Sequence, residues 1–447
     1  MIRAFAIALL LLVACDRDVD VGTGYRLMAD SPTQPVRDLD VLFVVDDSSS
    51  MGDEQDLLAG ALSSFFATLD ERMDGRPNLH IGVTSTNVGT GSDGGGGEVC
   101  SGNGDNGNLL VPDACSPLDR PYLIDVANPD DEAGPRVINY PDGQLAETLG
   151  CMTRLGTQGC GFEQPFEAMR RAIDRSTDGF VRPDAMLLVV LVSDEDDCSA
   201  FDRTVFDANH DDRDDPLGEL SSFRCFEFGV TCDQPEVRVT GERTGCAPRD
   251  DSPYLHPSAT YAHLLSDGKG GEGMVMVAAM VAAPSPVEVI EWPDSGELQL
   301  EPLCPDAVMP QASGLPAIRT HALLDALPRH ASASICNTDM PSHLRGFANA
   351  TADNLAGSRC LWATPFDSDD QRSGIQPICR ATLRLDSGDW IDLPSCDEDS
   401  TGESCFTVAE DRALCGWTDS RLAVSVEGVN LPGERVRLEC LQARTAE

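Results

Sequence analysis

Val41-Leu42-Phe43-Val44-Val45-Asp46-Asp47-Ser48-Ser49-Ser50-Met51 is the stretch on which the fold turns. Five apolar residues run without a break and stop at a carboxylate. A strand wetted on one face alternates apolar and polar side chains. An unbroken valine-rich run suits a strand covered on both faces, as in a parallel sheet between helices. The same form recurs from Met186 to Val192, stopping at Ser193-Asp194, and from Met274 to Ala283, stopping at Pro284. Leu79 to Ser85 is a fourth candidate strand, and Ala333-Ser334-Ile335-Cys336 a weaker fifth. Between these runs the apolar period lengthens. Leu58, Leu62, Phe65 and Leu69 make one stripe on a helix from Glu54 to Asp70, and Phe166, Met169 and Ile173 do so from Phe162 to Asp174. Gly314 to Leu327 and Met340 to Leu355 offer two more helices. Strand and helix alternate, which predicts an α/β domain built on a doubly wound, mostly parallel sheet.

Two long irregular stretches interrupt the alternation, at about 90–150 and about 199–260. Each follows the C-terminal end of an expected strand, the edge where open α/β sheets bind ligands. Both carry cysteines, so the expectation is a pair of disulfide-rich insertions. Residues 363–447 read as a small cysteine-rich β module that Cys360 completes. The expected division is a signal peptide over 1–14, a tether over 15–37, the α/β domain over 38–362 and the β module over 363–447.

Composition narrows the partners and the compartment. Within 447 residues, 32 basic and 75 acidic side chains leave a formal charge of −43. Such a surface repels nucleic acid and anionic headgroups, whereas cations and basic surfaces remain suitable. Arg3 precedes an apolar run from Ala4 to Ala14, too short to span a bilayer and suited to a signal-peptide core. Its end, Leu12-Val13-Ala14-Cys15, resembles the lipobox of bacterial lipoproteins, which implies cleavage before Cys15 and lipid on its thiol. The alternative is an ordinary signal peptide with an incidental cysteine. Setting Cys15 apart from the 17 cysteines leaves an even number, as expected of an exported chain that oxidises them in pairs. Proximity alone suggests Cys100 with Cys115, Cys151 with Cys160, Cys232 with Cys246, Cys336 with Cys360 and Cys396 with Cys405. No CxxC occurs, so neither a redox dithiol nor a zinc knuckle is expected.

The spacing Asp46-x-Ser48-x-Ser50 puts one carboxylate and two hydroxyls on a tight turn after a buried strand. Three oxygens can converge there, and hard divalent cations take oxygen ligands. The alternative is an Asp/Ser turn that only caps the following helix. In this setting the motif resembles the metal-ion-dependent adhesion site of von Willebrand factor A (VWA) domains, a likeness covering roughly residues 38–360. The resemblance implies a Rossmann-like sheet holding one divalent cation, Mg²⁺ first and Mn²⁺ or Ca²⁺ as alternatives. It also implies a threonine from a second loop, matched by Thr157 with Thr153 as competitor. A third-loop aspartate is matched by Asp194, with Glu195, Asp196 and Asp197 beside it. The two insertions depart from the minimal family pattern.

One carboxylate among neutral hydroxyls leaves a divalent ion under-neutralised, so the expected partner is a protein offering an Asp or Glu carboxylate. The expected function is adhesion or ligand binding, not catalysis, by a lipid-anchored protein of the bacterial cell envelope, periplasmic or at the cell surface. A metal-rigidified scaffold and an exported hydrolase are the competing readings. Asp207-Ala208-Asn209-His210-Asp211 alternates oxygen side chains like a calcium loop, yet Asp212 stands where an EF-hand needs glycine and Gly218 where it needs glutamate. A solvated acidic loop is the plainer reading.

Overall fold

The computed structural model describes residues 25–32, 36–92, 94–115, 117–131, 134–175, 179–269, 274–293, 295–304, 314–355, 360–361, 364–369, 371–385, 389–396, 404–415, 420–427 and 435–441. Cys15 lies outside them. They fall into two compact units, one holding the described residues between 30 and 355 with Arg435, the other those between 360 and 427 and between 436 and 441 with 25–29.

The larger unit is built on seven strands: β1 (Asp38–Val45), β2 (Asn78–Ser85), β3 (Leu123–Val126), β4 (Val137–Ile138), β5 (Met186–Val192), β6 (Val275–Val281) and β7 (His330–Ser334). Their order is β7-β6-β5-β1-β2-β3-β4. The pairs among β1, β2, β5, β6 and β7 are parallel, and β3 and β4 close one edge antiparallel. The unbroken apolar runs are the central strands, as expected of strands buried on both sides. Alternate residues serve opposite layers. Val41, Phe43, Val45, Leu188, Val190 and Val192 pack with helices α1 (Gly52–Arg72), α2 (Leu145–Met152) and α6 (Met340–Leu355). Leu42, Val44, Leu187, Val189 and Leu191 face α3 (Pro165–Asp174), α4 (Ser258–Gly268) and α5 (Ile318–Asp325). Leu58, Leu62, Phe65 and Leu69 lie buried along α1, each stabilising the packing by about 1.5–3 kcal/mol.

Several boundaries differ from expectation. α3 starts at Pro165, since a proline fits the first helical turn, and this leaves Phe162–Gln164 as an approach loop. α5 is shorter than the stripe suggested, because Asp196 accepts hydrogen bonds from the amides of Arg319 and Thr320 and fixes its start. The weak fifth strand lies a few residues earlier than expected, at the sheet edge. The first insertion is not wholly irregular, since it supplies β3, β4 and α2. The second holds a short helix (Phe223–Gly229) and strand pairs tied by Cys232–Cys246.

All sixteen cysteines among the described residues are bridged: 100–160, 115–151, 198–225, 232–246, 304–336, 360–415, 379–440 and 396–405. Pairing on this scale belongs to an exported protein. Proximity found 232–246 and 396–405, whereas the suggested 100–115, 151–160 and 336–360 are corrected. Cys100 and Cys115 each reach across to the segment that carries α2 and leads into α3, because the loops fold over the sheet edge and not back on themselves.

Among the described residues of the smaller unit, the regular elements are strands and one helical turn. Tyr25–Pro32, inside the segment read as a tether, is an edge strand next to Arg435–Leu441, followed by Cys379–Arg384 and Trp390–Leu393. Cys405–Glu410 and Leu422–Glu427 form a hairpin. Among the described residues no helix is long and apolar enough to cross a membrane.

Candidate metal centre

Register brings three loops to one edge. Val45 is level with Ser85 on one neighbour and with Val192 on the other, so Asp46, Thr86 and Ser193 emerge side by side. The chain leaves β1 toward β2 on one side and returns through β5 on the other. This is the switch point where open α/β sheets hold ligands.

Asp46 is fully buried, and its amide donates to the Val192 carbonyl at 2.9 Å. Its carboxylate accepts from the Ser48 amide at 2.8 Å and from the Ser193 hydroxyl at 2.7 Å. The Ser48 and Ser50 hydroxyls lie 3.2 Å apart, while Ser49 is exposed and Met51 is buried in the core as the anchor of the turn. Alternation thus gathers Asp46, Ser48 and Ser50 on one side.

The second loop is stitched to the first. Gln55 of α1 donates to the carbonyls of Asp46 (2.9 Å) and Gly156 (2.8 Å) and accepts from the Gly156 amide (3.0 Å). The Gly159 amide donates to the Asp47 carbonyl at 2.7 Å, and a β-carbon on Gly159 would stand 2.1 Å from Asp47 Oδ1. Thr157 sits in this loop, half-buried, its methyl 3.5 Å from where a Gly52 β-carbon would lie. Thr153 is buried, and its hydroxyl donates to the Gly150 carbonyl. Of the two threonines, Thr157 therefore lies beside the Asp46 turn.

At the third loop the four acids separate by role. Asp196 caps α5, and Asp197 accepts from buried Arg319 at 2.9 Å and from Ser199. Asp194 and Glu195 remain at the pocket. Asp194 is fully buried, and its charge acts on Asp46.

Sequence reasoning missed two acids that complete the surroundings. Glu54, on the first turn of α1, is 0% exposed and neither carboxylate oxygen has a hydrogen-bond partner. Glu163, in the approach to α3, is 1% exposed; Oε2 accepts from Thr86, and Oε1 has no partner. Their only sequence signal is a charged residue in or beside an apolar stripe. Burial, then the charge of Asp194, pushes the Asp46 carboxyl up to about 7. Burial and Asp46 raise Asp47 to about 7, and burial raises Glu54 to about 7. Burial raises Glu163 well above the usual range, with Asp46 and Glu195 adding to it. These buried carboxyls raise one another, and a positive charge among them would relieve the repulsion.

The donors are all oxygen, which fits a hard divalent cation. Among the described residues no three His, Cys, Asp or Glu side chains converge to hold a metal. The expected set contains only two carboxylates beside three hydroxyls, so it does not require such a trio. At the acidic loop, buried Arg224 stands where a calcium ion would. Its guanidinium donates to the carbonyls of Val205, Asp207, His210, Gly218 and Glu219.

No family model and no curated protein matches the chain. Among solved structures, a von Willebrand factor type A protein from Catenulispora acidiphila is 8% identical over 95% of this chain and 67% of its own, with a TM-score of 0.27. The open conformation of the pilus adhesin SpaC from Lactobacillus rhamnosus GG is 10% identical over 93% of this chain and 40% of its own, with a TM-score of 0.30. Three N-terminal domains of the type V pilus tip protein from Porphyromonas gingivalis are 12% identical over 92% and 62%, with a TM-score of 0.25. The chain thus spans less than half of the SpaC structure's length. Scores of this size add no weight; strand order and register are what make the larger unit a doubly wound α/β domain on a mostly parallel sheet.

Proposed function

We propose that this is a cell-envelope protein that binds one divalent cation, Mg²⁺ first, through Asp46, Ser48 and Ser50, with Thr157 and Asp194 completing the set. Through that ion it binds a protein partner's Asp or Glu side chain. The observation that carries the reading is the gathering of Asp46, Ser48 and Ser50 on one turn at the switch point, with Asp194 buried in the neighbouring loop. The bound ion supplies an electrophilic position for an anionic oxygen. The Ser193 hydroxyl and Ser48 amide orient the Asp46 carboxylate, Gln55 locks the loops, and buried Met51 keeps the serines turned inward. The reading is non-enzymatic: the site is proposed to hold a partner's carboxylate, not to transform it. Ser193 donates to Asp46 and Thr86 to Glu163, so both hydroxyls serve to orient carboxylates of the site. The protein is proposed to be exported and lipid-anchored at Cys15.

Purified ectodomain is incubated with envelope extract in Mg²⁺ or in chelator, and captured partners are compared with those of Asp46→Ala. The expected outcome is capture lost with chelator and with Asp46→Ala, while circular dichroism shows an intact sheet. Capture unchanged in both arms overturns the adhesion reading and leaves a scaffold stiffened by its ion.

A further inference from the structure

We infer that Glu163, and not Thr157, supplies the second loop's direct ligand to the cation; the inference rests on the metal reading above. Glu163 leaves the chain immediately before α3, is almost fully buried, and has one oxygen held by Thr86 while Oε1 meets no donor. The titratable groups that act on it most strongly are Asp46 and Asp47 from the β1 loop and Glu195 from the β5 loop, all acidic. On its own segment, the Gln164 amide is spent on Gly89 and Ala200. A buried carboxylate needs a hydrogen-bond donor or a positive charge, and these three neighbours have the wrong sign. A cation beside Asp46 satisfies Oε1 and the repelling acids together. Thr157, by contrast, is half-exposed, with its methyl over the start of α1.

The choice of ligand changes what the ion does. With Asp194 acting through a bound water, Asp46 and Thr157 as direct ligands leave a divalent ion with one unit of positive charge. Asp46 with Glu163 neutralises it. The neutral shell holds the ion more tightly, and its open position draws a partner's carboxylate less strongly and a neutral hydroxyl or carbonyl oxygen relatively more.

Mn²⁺ serves as the probe, titrated into the full ectodomain and followed by electron paramagnetic resonance of the free ion. Glu163→Gln is expected to weaken Mn²⁺ binding about tenfold or more, and Thr157→Ala to leave it within about twofold. Thermal melts distinguish a ligand from a packing residue. In chelator, Glu163→Gln should melt at or above wild type, because an unpaired buried acid has gone; in saturating Mn²⁺ it should melt below. Should Glu163→Gln not fold, Glu163→Asp, which keeps the charge and withdraws the oxygens, serves in its place, with weakened Mn²⁺ binding expected. Loss of affinity in Thr157→Ala with Glu163→Gln unchanged overturns the inference, as does an equal drop in melting temperature with and without Mn²⁺. Wild type that binds no Mn²⁺ fails the metal reading itself.

Discussion

Glu167, buried on α3, shows the opposite electrostatics from the pocket acids a few residues away. Burial opposes its ionisation, but hydrogen bonds from Arg170 and Arg171 outweigh burial and hold the carboxyl at about 2. Its folded value lies below the ordinary one, so the unfolded chain takes up its proton first as pH falls. The resulting stability is complete above about pH 4.5 and fades toward pH 2. Melting curves of wild type and Glu167→Gln across pH 2 to 7 should therefore differ most at neutral pH and converge toward pH 2; a constant gap would show that the carboxylate's charge contributes nothing. At this scale the sequence is legible wherever ligands share one turn. Asp46, Ser48 and Ser50 are three alternate letters, and the structure gathers them. Glu163 is illegible, because its surroundings come from loops after β1, β2 and β5, each distant in sequence. Arg224 is illegible for the same reason, since five carbonyls of a folded loop define it and none has a letter.

Elements were read well where burial is continuous and poorly where it is partial. β5 and β6 are uninterrupted apolar runs, β1 ends in one from Val41 to Val45, and α6 coincides with its stripe. β3 and β4 are short strands toward one edge of the sheet, so no run or period marks them. What matters for the site is how elements are joined at their ends. The loop before α3 lies flush on the β1 loop only because Gly159 has no side chain, its β-carbon position being 2.7 Å from the Asp47 carbonyl oxygen as well as close to the carboxylate. Gly159→Ala must part the loops. It should cost about 1–3 kcal/mol in stability and weaken Mn²⁺ binding, read by melts and titration together. Normal affinity in a folded variant would mean that the second loop takes no part in the site.

Over the whole molecule, the bridges divide as the units do. Cysteines from Cys100 to Cys336 pair among themselves, and those from Cys360 to Cys440 pair among themselves. Sequence proximity suggested Cys336 with Cys360 because only α6 separates them. Cys336 instead closes on Cys304, 32 residues back, just beyond the end of β7, while Cys360 opens the smaller unit and closes on Cys415. A chain-entropy account assigns loops of this size a few kcal/mol each, and the longest, Cys379–Cys440 with a separation of 61, the most. Peptide mapping of unreduced protein from native envelope should recover the eight pairs, with none joining the two sets. Intact mass of the same material should show a chain that begins at Cys15 and carries acyl chains, so that this seventeenth cysteine is neither bridged nor free. A Cys336–Cys360 peptide would break the division between the units. An unmodified Cys15 on most molecules would remove the anchor while leaving the disulfide framework and the metal centre as they stand, because neither depends on how the chain is tethered.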